Sequence, residues 1–234
     1  MKILGIECCT KACSAALYED GKITASFSLN GSLTHSETLL PIIKSIYEIS
    51  SSSLDDTDYI AVTIGPGSFT GIRIGLATAK GIAQGKDKPM IGLSSLEALC
   101  YNVTNFEGII CPCLDARRSQ VYNAIFEFQN GNLIRLCDDR VLSVDELKDD
   151  LKKYDKPIMF LGDGACLVYD SITDGTKKVL ASENDIYLRA DSVCLAAANE
   201  VGLCTFRPQN SKDITPVYLR LSQAEREKKE RESK

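Results

Sequence analysis

Over residues 2–29 the apolar positions fall in blocks of strand length. KILGIECC (2–9), CSAALYE (13–19) and KITASFSL (22–29) predict three strands, and Asp20-Gly21 between the last two is a hairpin pair, since both residue types accept positive φ. A meander therefore opens the chain. The period then changes. In THSETLLPIIKSIYEI, Leu39, Ile42, Ile43, Ile46 and Ile49 recur at helical spacing, and Thr34 with Glu37 has the spacing of a capping box. Pro41 removes a backbone donor inside this helix, so a kink is expected in its early turns. DYIAVTIG (58–65) is almost continuously apolar, as a strand covered on both faces would be. It leads into the glycine-rich GPGSFTGIR (65–73), the helix IRIGLATAKGIAQG and a short strand in KPMIGL. Ser94-x-x-Glu97, again at capping-box spacing, opens the helix of SLEALCYN.

The same order then recurs. IICPCLDARRSQVYNAIFEFQNGNLIRLC again predicts three strands; Asp115 ends the first, as Glu7 does in the opening copy, and Asn130-Gly131 turns the last pair. In both copies about fifteen residues separate the acid from the hairpin glycine. The charged helix VDELKDDLKK follows, then KPIMFLGDGA, an apolar strand running into Gly162-Asp163-Gly164, then strand-like VLAS and the helix DSVCLAAANEVG. The repetition predicts a duplicated α/β module, with a first lobe over 1–106, a second over 107–205, and 206–222 folding back on the first. Residues 223–234 are almost wholly charged and read as a solvated helix that frays, with Glu225–Lys229 and Glu227–Arg231 at i,i+4.

Composition narrows the picture. The 234 residues, 44% hydrophobic, suffice for one large core or two modest ones. A net charge of −5 opposes an extended basic surface and thus a free-standing RNA-binding protein. The opening MKILGIECC carries Glu7 and lacks the apolar core of a signal peptide, so the ten cysteines are expected in a reducing cytoplasm. There Cys8, Cys9, Cys100, Cys137, Cys166, Cys194 and Cys204 read as small buried apolar groups, and Cys111 with Cys113 forms C-x-C, not a C-x-x-C site. No apolar run approaches about 20 residues, so no membrane span is expected.

Candidate chemistry centres on the glycine loop. Gly65, Gly67 and Gly71 give G-x-G-x-x-x-G, too long for a dinucleotide fingerprint, and no G-K-[ST] follows for a P-loop. Backbone donors and the hydroxyls of Ser68 and Thr70 at a helix start still suit an anion, second to a tight turn. Gly71, Gly75 and Ala79 form a smooth i, i+4, i+8 stripe bordered by Ile72, Leu76 and Ala83, fit for close helix approach inside the chain or with a subunit. Asp115 with Arg117 reads as an ion pair or loop anchor.

The segments ILGIECCTKACSAAL, HSETLLPIIKSI, VTIGPGSFTGIRIGLATAKGIA, GLSSLEAL, LDARRSQVY and PVYLR resemble, over almost the full chain, the bacterial TsaB (YeaZ) proteins of tRNA threonylcarbamoyladenosine biosynthesis. The resemblance implies an actin-like (ASKHA, ribonuclease H-like) two-lobe α/β fold. It also implies a non-catalytic scaffold that pairs with the threonylcarbamoyl-transferring subunit TsaD and the ATPase TsaE, reaches tRNA through that complex, and forms a homodimer when alone. No intrinsic cofactor is implied, with ATP or ADP at the junction with the partner. The first two helices would supply the interface, at His35, Glu37, Leu39, Leu40, Ile43, Ile46, Ile72, Gly75, Leu76, Ala79 and Ala83. Phosphate contact would fall to Gly65, Gly67, Ser68, Thr70, Gly71 and Arg73.

The residues agree with a non-catalytic role. A metal site like that of the catalytic relative needs two histidines four residues apart, and this chain has one, His35, with Leu39 at i+4. Active kinases of this fold place glycine and Ser/Thr after the first-strand acid. Here Cys8-Cys9-Thr10-Lys11 follows Glu7, a departure from the family's Asp-Thr-Ser, and Ala116-Arg117-Arg118 follows Asp115. The alternative is an independent small-molecule kinase or ATPase of the same fold. A peptidase fits worst, because nothing around His35 suggests a nucleophile triad.

Overall fold

The computed structural model describes residues 1–31, 34–104 and 106–220; the expected charged helix over 223–234 lies outside them. β1 (Lys2–Glu7), β2 (Cys13–Glu19) and β3 (Lys22–Leu29) form the opening meander, turned at Asp20 (φ 45°) and Gly21 (φ 94°). In α1 (His35–Ser50) the Glu37 carboxylate accepts from the Thr34 N–H at 3.0 Å and hydroxyl at 2.7 Å, closing the capping box. The helix continues through Pro41, which faces solvent. Then come β4 (Tyr59–Gly65), α2 (Phe69–Lys86), β5 (Met90–Ser94) and α3 (Ser95–Cys100). The second capping box is half made. The Ser94 hydroxyl accepts from the N–H groups of Leu96 and Glu97 at 3.2 and 3.3 Å, but the Glu97 carboxylate turns instead to Arg135 at 2.6 Å.

The second half repeats the plan as β6 (Ile109–Asp115), β7 (Gln120–Gln129), β8 (Asn132–Ser143), α4 (Val144–Leu151), β9 (Ile158–Leu161), α5 (Ala165–Ser171), β10 (Lys178–Leu180) and α6 (Ala190–Gly202). The sequence did not predict α5, whose 7 residues are too few for a helical period to register. One sheet has the order β3-β2-β1-β4-β5 and the other β8-β7-β6-β9-β10, the same order in each copy. β1 runs antiparallel to β2 and parallel to β4, and β6 does the same with β7 and β9. This is the duplicated, actin-like α/β architecture.

On one face of the first sheet, Leu4, Ile6, Ala15, Leu17, Ile60 and Val62 pack under α1 and α2. On the other, Ile3, Ala16 and Ala61 join a larger cluster that runs through α3 and α6 into the second sheet. α6, assigned by sequence to the second lobe, packs on β1 and β2 of the first sheet. Small side chains permit it. A Cβ at Gly5 would lie 2.6 Å from the Ala190 carbonyl, and the Cys194 thiol reaches the carbonyl of Ala16 at 3.5 Å.

The chain end returns to the first lobe. Met90 and Gln209 exchange backbone hydrogen bonds at 3.0 and 3.1 Å, Ile214 is buried beneath β5, and the Val217 N–H donates to the Ile64 carbonyl at 2.8 Å. Most cysteines are buried, but Cys137 is half-buried, and Cys166 and Cys204 are exposed, Cys166 on α5 and Cys204 in the turn after α6. Among the described residues no helix is long and apolar enough to cross a membrane.

Candidate functional site

Each glycine of the loop before α2, and Gly71 in its first turn, abuts the chain's own backbone. A Cβ would stand 2.5 Å from the Val217 carbonyl oxygen at Gly65, 2.5 Å from that of Cys9 at Gly67, and 1.9 Å from that of Cys8 at Gly71. The glycines thus let the start of α2 press against the β1–β2 turn. The Ser68 N–H donates to the Cys9 carbonyl at 2.8 Å, and the Ser68 hydroxyl caps α2 by accepting from the Gly71 N–H at 3.2 Å. Among the residues expected to touch phosphate, Gly65 and Gly71 are buried in this packing. Gly67, Ser68, Thr70 and Arg73 line a cleft of about 730 Å³ between the two lobes.

The first lobe contributes Thr10, Lys11 and His35 to that cleft, and the second contributes Asp115, Arg117, Tyr122 and Asp163. Arg220 bridges them, its guanidinium donating to the Ala116 carbonyl. Phe69 stacks on Tyr218 with centroids 4.5 Å apart, and the Arg73 Nε donates to the Tyr218 hydroxyl at 2.8 Å. Sequence reasoning missed Phe69, Tyr122 and Arg220 as cleft residues, and Tyr218 as the partner of Phe69 and Arg73; Tyr218 and Arg220 lie far along the chain, in the PVYLR segment.

The two strand-end acids point to their own turns. Glu7 is fully buried, and its carboxylate accepts from the N–H groups of Cys9 at 2.5 Å and Thr10 at 3.2 Å and pairs with the Thr10 hydroxyl at 3.2 Å. Loss of water outweighs these bonds and pushes its pKa up to about 8. Asp115 accepts from the Arg117 N–H at 2.7 Å and pairs with its guanidinium at 3.3 Å, the anchor expected from sequence. Arg117, Arg118 and Ser119 all hold left-handed φ values of 66°, 56° and 54°, a conformation costing about 1 kcal/mol per residue. The Ala116–Gln120 and Val144–Ser119 backbone bonds, at 2.9 and 3.0 Å, maintain it. Burial pushes Asp163 up, opposed by the Asp115 N–H at 2.9 Å. Lys11, Arg73, Arg117 and Arg220 outnumber Asp115 and Asp163 along the cleft, which suits an anion better than a metal. No group of three His, Cys, Asp or Glu able to hold a metal occurs among the described residues.

The helix face needs correcting. Leu39, Ile43, Ile46, Ile72, Gly75, Leu76, Ala79 and Ala83 are buried inside the first lobe. A Cβ at Gly75 would lie 3.2 Å from the Cys8 Cβ, so the predicted stripe faces the chain's own β1, as the apolar side of an amphipathic helix does when it covers a sheet. His35 is half-buried with Nε2 on the Thr10 carbonyl at 3.0 Å, and Glu37 is exposed but engaged in its cap. The exposed positions are instead Leu40 and Ile49, 56% and 68% exposed on opposite flanks of α1, and Ala77, Gly81 and Gly85 of α2. A Cβ at Gly81 or Gly85 would meet nothing within 4 Å. α2 thus has two small-residue stripes, and periodicity could not say which looks outward.

Comparison with known proteins accords with this geometry. Residues 30–228 match the family model described as TsaD: tRNA N6-adenosine threonylcarbamoyltransferase. The tRNA threonylcarbamoyladenosine biosynthesis protein TsaB of Bacillus subtilis (strain 168) is 31% identical over 227 residues, covering 96% of each chain. Its namesake in Escherichia coli (strain K12) is 40% identical over 129 residues, 54% of this chain and 55% of that one. The solved structure of YeaZ from Pseudomonas aeruginosa superposes with a TM-score of 0.80 at 22% identity, covering 93% of this chain and 99% of that one. The chain, matched over 96% of its length by the 31%-identical relative and built as two copies of one α/β unit, belongs to the TsaB (YeaZ) family of tRNA threonylcarbamoyladenosine biosynthesis proteins.

Proposed function

We propose that the chain is a non-catalytic scaffold and activating subunit for transfer of the threonylcarbamoyl group to the adenosine beside the anticodon, pairing with TsaD and TsaE. The state of Glu7 carries this proposal. An acid serving phosphoryl transfer from the end of the first strand would face the nucleotide as a carboxylate; here it is buried, holds its proton near neutral pH and stabilises its own turn. The exposed side of the α1–α2 pair, which carries the smooth Ala77–Gly81–Gly85 stripe and the exposed Leu40 and Ile49, supplies the docking surface for TsaD, or for a second copy when the chain is alone. No cofactor is intrinsic. ATP or ADP would sit at the junction with the partner, near Ser68, Thr70 and Arg73 at the start of α2.

Reconstitution tests this. The purified chain alone should transfer no threonylcarbamoyl group from threonylcarbamoyl-adenylate to tRNA, and adding it to TsaD, TsaE and ATP should restore transfer. Transfer by the isolated chain, or failure to bind TsaD, overturns the proposal. ATP turnover by the isolated chain that disappears in Asp115→Asn would favour the kinase or ATPase alternative.

A further inference from the structure

Two thiols meet beneath the helix pair. The register of β1 and β2 ends with Glu7 opposite Ser14, so the next position places Cys8 opposite Cys13 across the hairpin end. Their sulfurs lie 3.6 Å apart, and both side chains belong to the buried cluster under α1 and α2. Opposed residues of an antiparallel pair have Cα atoms about 4.5–5.5 Å apart, inside the roughly 4.4–6.8 Å that a disulfide spans. The other close pair, Cys111 and Cys113 at 3.7 Å, sits on one strand at i, i+2. Its Cα separation of about 6.8 Å is at the limit of that range.

We propose that Cys8 and Cys13 form an oxidisable dithiol site that closes to an intramolecular disulfide with hydrogen peroxide as oxidant. The Cys13 thiolate attacks one peroxide oxygen, the O–O bond breaks, and the departing hydroxide takes up a proton, leaving a sulfenic acid. Cys8 gives up its proton and attacks the Cys13 sulfur, the S–O bond breaks, and a second water leaves. Two thiols are oxidised and one peroxide is reduced to two waters. The order of attack follows the local bonding. The Cys8–Cys13 hydrogen bond, helped by Thr38 and His35, holds the Cys13 thiol low against its burial, while the same bond and burial push Cys8 up. At 1% and 2% exposure the pair admits an oxidant of water size sooner than a bulky disulfide. The bond would clamp the turn whose Cys9 and Thr10 carbonyls hold Ser68 and His35, at the starts of α2 and α1.

The test uses the full chain, reduced, exposed to hydrogen peroxide, alkylated and digested with trypsin. Cleavage after Lys11 separates the two cysteines, so the bond appears as two joined peptides that part on reduction. Cys9→Ser should keep the joined species, and Cys8→Ser and Cys13→Ser should each lose it. Recovery of both residues as free thiols while exposed Cys166 and Cys204 are oxidised overturns the proposal. So does a joined species that survives Cys8→Ser, or recovery of the pair only as sulfinic acids.

Discussion

At the scale of single residues, Glu7 shifts from an ordinary value of 4.5 to about 8 because burial removes its hydration. The folded chain therefore holds this proton more tightly than the unfolded chain. Glu7's contribution to stability is complete below its ordinary value, falls as pH rises between the two values, and is lost above about 8. Glu7→Gln should keep the acceptor for Cys9 and Thr10 and a donor for the Thr10 hydroxyl. Urea midpoints measured from about pH 5 to about pH 8 should then fall less steeply than in the parent, with the variant the more stable at the alkaline end. Equal slopes would show that Glu7 titrates normally. Gly71 is as exacting for steric reasons. Gly71→Ala would drive a Cβ to within 1.9 Å of the Cys8 carbonyl and should cost more than about 3 kcal/mol in the same measurement.

At the scale of elements, α2 separates packing from docking. Gly75→Leu must fit four carbons beside Cys8 and Ile6 and should destabilise by about 1–3 kcal/mol or more, as overpacked cores do. Gly81 has open space and no positive φ, so Gly81→Ala should stabilise by about 0.5–1 kcal/mol through helix propensity. Gly81→Leu should leave stability near the parent's while weakening association with TsaD, read by sedimentation of the mixture. Undiminished association would move the docking surface off α2. The helix and its glycine-rich start were legible because period and turn residues act locally. Its orientation was not, because Gly71, Gly75 and Ala79 on one side and Ala77, Gly81 and Gly85 on the other have equal spacing.

For the whole molecule, the two lobes are tied by one charged cluster. Arg135 of β8 pairs with Glu97 of α3 at 2.6 Å and with Asp139 at 2.5 Å, Asp139 accepts from the Ser94 hydroxyl at 2.5 Å, and the guanidinium lies 4.6 Å over the Phe126 ring. These groups are half-buried, so Arg135→Ala strands two partly desolvated carboxylates and should cost about 2–4 kcal/mol. Arg135→Lys should recover little of it, since one ammonium cannot reproduce a planar fork shared between two acids. Equal urea midpoints for Arg135→Lys and the parent would show that a single positive charge serves both acids. α6 adds to this tie by crossing to the first sheet, and Arg220 adds to it by bonding Ala116.

The sequence alone determined most of the local pieces and their duplication, because strand-length apolar blocks, helix period and hairpin dipeptides act over a few residues and are repeated in both halves. It also carried the family resemblance, in contiguous segments such as GPGSFTGIR. Only the tertiary structure decided which lobe α6 would cover, which stripe of α2 would face out, and that Phe69, Tyr122 and Arg220 would line one cleft. Such matters depend on contacts between residues far apart in the chain, where burial, charge and close backbone approach are settled by the partner across the gap and leave no mark on the neighbours in sequence.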